Sequence, residues 1–196
     1  MNKNFFIFLT CLLVYSLPAL ANSFTGRIGF YDGLSHPVLG LDHFLAMVSV
    51  GIVSAQIGGK AIWTVPTTFV SIMTIGGLFG FFLIIYEFFF VEVGIVFSVI
   101  LLGFAISIGK KIPTKIIIFF VGFFGFFHGT AHGIEVPAAA NPLLFLLGFI
   151  CGTTALHLFG GAIGYFSIKT AISSILLRLT GICFAIYGIY LLLQFY

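Results

Sequence analysis

Charge is what this chain has least of. Eight of its 196 residues are Lys or Arg and five are Asp or Glu, 7% in all, against 61% hydrophobic. A soluble domain of this length cannot hide so much apolar surface, and a mean hydropathy of +1.26 calls for lipid around it. Cysteine is scarce too. Cys11, Cys151 and Cys183 define no disulfide framework, and the last two read as small core residues of apolar helices. Histidine-rich tracts are missing. So is an ATPase motif: Gly103 to Lys111 has the wrong spacer for a phosphate-binding loop, and Lys111 stands where Ser or Thr belongs. The net charge of +3 does not indicate nucleic acid, because the cations fall where membrane topology wants them.

What remains is a polytopic membrane protein. Residues 1–21 read as a cleavable signal peptide: Lys3, an apolar run from Phe5 to Leu17, then Ala19-Leu20-Ala21. A retained signal anchor is the alternative. Residues 22–35 form a short extracytoplasmic segment, and residues 36–196 a single transmembrane domain. Spans of membrane length fall at about 36–57, 61–86, 91–109, 115–135, 142–166 and 171–195. The expected fold is therefore all-α, a bundle of six transmembrane helices. With Asn22 outside, Lys60, Lys110, Lys111, Lys115, Lys169 and Arg178 lie on the cytoplasmic side and only Arg27 opposes them. Asp32, Asp42, Glu87, Glu92 and Glu135 sort to the outer side, as a cation-gathering mouth would. A bacterial cytoplasmic (inner) membrane location follows, with the mature N-terminus extracytoplasmic. Gly76, Gly77 and Gly80, Gly122, Gly125, Gly129 and Gly133, and Gly160, Gly161 and Gly164 mark close helix packing. Two inverted halves of three helices are conceivable, but the histidines do not occupy equivalent places in them.

Two stretches carry chemistry. Ser35 to Met47 predicts a helix capped by Ser35, with Pro37 in its first turn, running to about Ile57. His36, Gly40, His43 and Met47 then share one stripe, with Asp42 on its flank and Gly40 leaving room between the rings. Singly, these residues read as caps or core. The second stretch ends the fourth span. His128, His132 and Glu135 stand at i, i+4 and i+7, with Gly122, Gly129 and Gly133 a quarter-turn round. Both stretches fall in the outer half, where Glu92 opens the third span beside them. His157 sits deeper in the fifth, either as a second station or as a structural hydrogen bond. Ionisable groups inside a bilayer point to function. Imidazole with carboxylate suits nickel, cobalt, zinc or copper, with carboxylates able to fix imidazole tautomers instead of ligating.

In these residues the sequence resembles the HupE/UreJ family of bacterial nickel/cobalt permeases. The likeness is carried by His36-Pro37, Gly40, Asp42-His43 and Met47, and by His128-Gly129, Ala131-His132-Gly133, Glu135 and Pro137. Glu92, Ile95 and Ser98 resemble the family's third-span element. The resemblance implies uptake of Ni2+ or Co2+ as a substrate, without a permanently bound cofactor, to supply hydrogenase, urease or cobalamin-dependent enzymes. It carries over His36, Asp42, His43, Glu92, His128, His132 and Glu135 as site residues, with Met47 less firmly matched. The metal, the coupling ion and the oligomeric state, a homo-oligomer included, stay open. Two other readings use the same residues: an intramembrane metal-dependent hydrolase and a bis-histidine haem cytochrome.

Overall fold

A computed structural model describes residues 29–82, 89–109, 112–136 and 141–195. The leader, Cys11, Arg27, Glu87, Lys110, Lys111 and Pro137 lie outside them. Among the described residues every regular element is helical: α1 (Phe30–Leu39), α2 (Leu41–Ile57), α3 (Ala61–Phe82), α4 (Phe89–Ile108), α5 (Thr114–Ile134), α6 (Pro142–Ser167) and α7 (Ala171–Leu193). The last five are each long and apolar enough to cross a membrane, and α1 and α2, bent by 88° at the break between them, pass the same test when taken together as one span. These helices fall on the six stretches that hydropathy marks out.

The first span departs from expectation. Its helix begins at Phe30, inside the segment read as a short watery approach, and Ser35 does not cap it. Asp32 does: its carboxylate accepts the Gly29 backbone N–H at 2.8 Å. The Ser35 hydroxyl instead donates back to the Tyr31 carbonyl. Pro37 then lies near the end of α1, where it has no N–H to continue the ladder. Gly40 is extended (φ −90°, ψ 119°), and the chain turns there into α2. His36 and His43 therefore sit on two helices, not on one stripe, and Met47 is fully buried in the apolar core. Gly40 does provide room, but for a different neighbour. A Cβ there would stand 2.9 Å from Asp42 Oδ1 and 3.1 Å from His43 Nδ1.

Lipid offers helices no hydrophobic reason to associate, so close backbone approach must do it. Glycine supplies that approach in three pairs. Along α3 and α5, a Cβ on Gly76, Gly80, Gly129 or Gly133 would strike the Phe126, Thr130, Met73 or Gly77 carbonyl of the facing helix, so the two run parallel. Gly51, Gly160 and Gly164 join α2 to α6, also in parallel, while Gly33 and Gly148 seat α1 on the start of α6. Gly103 and Gly181 bring α4 against α7, antiparallel. Numbered as spans, the pairs are first with fifth, second with fourth, and third with sixth. Exchanging the first three spans for the last three leaves that map unchanged, which is the pairing an inverted repeat requires.

Two details refine the sequence reading. Cys151 and Cys183 are exposed on their helices and are not core residues. A small apolar side chain has little to gain by burial when its alternative is hydrocarbon. Arg178, counted above as a topological charge, has a structural task as well. Its guanidinium donates to the Ser107 and Ile108 carbonyls at 2.9 and 3.0 Å, capping the end of α4.

Candidate metal site

The bend at Gly40 aims α1 and α2 at the end of α5, and four imidazoles meet there. His36 lies 4.7 Å from His132 between ring centroids, His43 4.5 Å from His132, and His43 5.0 Å from His128. His128 is wholly buried and His132 4% exposed. Two donor groups result, each with its ligand atoms within 4.8 Å of one another: His43, His128 and His132, then His36, His132 and Glu135. His132 belongs to both. Glu135, just past the end of α5, holds His36 Nε2 at 3.0 Å and stands 3.4 Å from His132 Nδ1. Burial works to raise its carboxyl, but the His132 and His36 imidazoles outweigh that and hold it well below the usual carboxylate range. The mouth of the site therefore carries a fixed anion.

Hydrogen bonds decide which nitrogens are free. Asp42 Oδ1 accepts the His43 backbone N–H at 2.8 Å and lies 2.9 Å from His43 Nδ1. A carboxylate only accepts, so the His43 proton is on Nδ1 and the Nε2 lone pair is free. His43 Nε2 has no protein partner. At His128 the reasoning runs through Ser98. The Ser98 hydroxyl donates its one proton to the Ile95 carbonyl at 2.6 Å, so toward His128 Nε2, at 2.9 Å, it can only accept. That places the His128 proton on Nε2 and leaves Nδ1 unpartnered and buried. Both nitrogens of His132 are likewise without a hydrogen bond. Buried polar atoms in native proteins are seldom left unpaired. Three imidazoles with unused lone pairs, facing one another, make a ready nest for a cation that prefers nitrogen.

The predicted residues divide accordingly. His36, His43, His128, His132 and Glu135 come together as donors. Asp42 acts through His43, as an orienting carboxylate beyond the ligands. Glu92, half-buried in the first turn of α4, falls in neither donor group. Met47 is core, and His157 belongs to neither group, although the Phe69 ring touches both it and His128. The sequence reading left out Phe69 and named Ser98 only through the family resemblance, without a role. Ser98 was visible as a polar residue in the most apolar helix, but only the fold shows whom it meets. Phe69 is one phenylalanine among 27, and nothing in the sequence singles it out. Ser98→Ala removes the acceptor that fixes the His128 tautomer. It should weaken binding of a divalent metal probe by about 10- to 100-fold with the fold intact. Calorimetry on purified protein checks this; an unchanged Kd would refute the tautomer argument.

Membrane-length helices closing on buried, unpartnered imidazoles define a polytopic membrane protein with a cluster of metal-ligating side chains between its spans. Sequence comparison agrees. The family model described as HupE / UreJ protein matches residues 10–191, and the chain belongs to the HupE/UreJ family. Protein HupE of Rhizobium leguminosarum bv. viciae is 40% identical over 162 residues, covering 82% of this chain and 83% of that protein. No solved structure matches the chain.

Proposed function

We propose that this protein is an integral-membrane permease that takes up Ni2+ or Co2+ through the imidazole site. The observation that carries the reading is the convergence of three buried imidazoles, from two separate spans, each offering a nitrogen within 4.8 Å of the others. Family membership supports the nickel/cobalt assignment. The charge asymmetry supports the orientation, with the site at the extracytoplasmic end and the lysines at the other. Glu135 and its acidic neighbours gather the hydrated ion. His36 begins to replace its water, and His43, His128 and His132 complete the shell. Affinity stays moderate, because a conducted ion must leave again.

The membrane potential suffices as a driving force. Two charges moving inward gain about 4.6 kcal/mol per 100 mV, from about 2.3 per charge. That is more than about a thousandfold accumulation at about 1.4 kcal/mol per decade. The rival readings fit the geometry less well. Ring centroids 4.5–5.0 Å apart leave no space for a porphyrin between the histidines. A hydrolase needs an acid or base beyond its ligands, whereas Phe69, Phe145 and Phe149 are the rings packed on these imidazoles.

The test is accumulation of nickel, cobalt and zinc in cells carrying the wild-type chain or His36→Ala. Nickel or cobalt should accumulate over zinc, and His36→Ala should lose most of that uptake. Equal accumulation by variant and wild type would overturn the assignment. The pH response is a second expectation. A protonated imidazole cannot ligate, so protons compete with the metal for the site. Initial uptake should fall several-fold between about pH 7.5 and about pH 5.5. A flat profile across that range counts against imidazole ligation.

A further inference from the structure

Beyond the imidazole site, toward the opposite half of the bundle, α3 and α6 diverge around a cleft of about 530 Å³. Its lining includes Ser54 of α2, Trp63, Thr67 and Ser71 of α3, and Thr154 and His157 of α6. His157 is 2% exposed, and neither of its ring nitrogens has a hydrogen-bond partner. No carboxylate or carbonyl holds its tautomer, so the ring does not serve as a structural hydrogen bond. Ser54 and Thr154 spend their protons on the Gly51 and Ile150 carbonyls, at 2.7 Å in each case, which leaves oxygen lone pairs for a cation. Ser49 and Thr153, both fully buried, carry further hydroxyl oxygens without partners. Ser49 lies about 9 Å along α2 from His43 at 1.5 Å per residue, in the direction of the cleft. One ring touches both histidine levels. The Phe69 ring, wholly buried, has its centroid 5.5 Å from that of His128 and 5.2 Å from that of His157.

Unpartnered polar groups are expensive inside a membrane, and here they form a sequence leading from the imidazole cluster to a cleft. We propose that His157 is a second, inner station for the transported divalent cation, opening on the cytoplasmic side through the cleft between α3 and α6 and separated from the outer site by the Phe69 ring. This rests on the permease reading above and extends it. The ion passes from three imidazoles to one imidazole with hydroxyl oxygens. The second donor set is weaker for a borderline metal, so it favours release. Separation of the two stations by an apolar ring keeps water and protons from running continuously through the bundle.

Two measurements on the full-length chain test the proposal, with NiCl2 as the probe. In a background with all three cysteines replaced by serine, Ser71→Cys and Thr154→Cys place thiols at the cleft. A membrane-impermeant thiol reagent should modify them from the cytoplasmic face in inside-out vesicles and not from the outside. Ni2+ should slow the modification at least tenfold, and His157→Ala should remove that protection. In purified protein, His157→Ala should lower the nickel stoichiometry from two to one and cut uptake at least tenfold, with the Kd of the remaining ion within twofold of wild type. A cleft filled by lipid would leave both thiols unmodified from either side, which would overturn the proposal. Protection or uptake that survives His157→Ala would overturn it equally. Failure of the permease reading looks different: wild-type protein would then take up no nickel and bind none at the outer imidazoles.

Discussion

His132→Ala should abolish nickel uptake and weaken nickel binding by more than the 10- to 100-fold that removal of an orienting partner typically costs. No other residue belongs to both donor groups. Losing His36 takes one donor from the outer group, and losing His43 or His128 takes one from the inner. Losing His132 takes one from each. A shared ligand also predicts non-additivity, because side chains acting as a unit do not contribute independent increments. The double variant His36→Ala/His132→Ala should therefore be no worse than His132→Ala alone. The variant should still fold, since neither His132 nitrogen makes a hydrogen bond, its ring packs on His36, His43 and Phe149, and Glu135, 3.4 Å from its Nδ1, keeps the closer His36 as partner. Uptake kinetics and calorimetry on the four proteins check the set. Wild-type affinity in His132→Ala would contradict the shared-ligand geometry.

Gly129→Val should prevent assembly of the bundle. The added carbons would strike the Met73 carbonyl and come within 2.7 Å of the Gly77 backbone nitrogen. Backbone cannot rotate aside as a side chain can, so the α3–α5 pair would have to separate. Overpacking in a well-packed core typically costs about 1–3 kcal/mol, and a clash with backbone sits at the upper end or beyond. Gly122→Ala on the same helix is the control. The nearest atoms to its new Cβ lie at 3.7 and 3.8 Å, which is ordinary contact. Detergent-solubilised Gly122→Ala should keep the wild-type Tm, while Gly129→Val should be recovered unfolded or not at all. Equal stability of the two would remove the packing role given to these glycines.

Much of this was legible in the sequence because a bilayer simplifies the rules. Hydropathy alone marks the spans, since an apolar run of that length has no other use, and the glycine rows announce which faces must touch. His128 and His132 could be placed on one face because their helix is regular from Thr114 to Ile134, and Glu135 follows directly as its C-cap. The first span was harder. Ser35 and Pro37 have the makings of a helix start, and nothing local reveals that Asp32 has already started it or that Gly40 will break it. The error changed which helix carries His36, but both rings still reach the site, because Gly33 and Gly148 seat α1 on the start of α6 and His36 stays beside His132. Asp42 and Glu92 could not be ranked from sequence. A carboxylate reads alike whether it ligates, orients a neighbour or waits at the mouth, and only the bond to His43 Nδ1 separates Asp42 from the rest. Ser98 entered only through the family resemblance, with no role attached. Serine in an apolar helix can satisfy itself on its own backbone, and its second partner is a tertiary fact.

X-ray absorption at the nickel edge tests the central arrangement most directly. Nickel loaded at one equivalent into the purified protein should show the outer-shell scattering of three imidazoles, falling to two in His128→Ala and likewise in His43→Ala. A spectrum of oxygen ligands alone, or one that neither substitution alters, would show that these rings do not hold the ion.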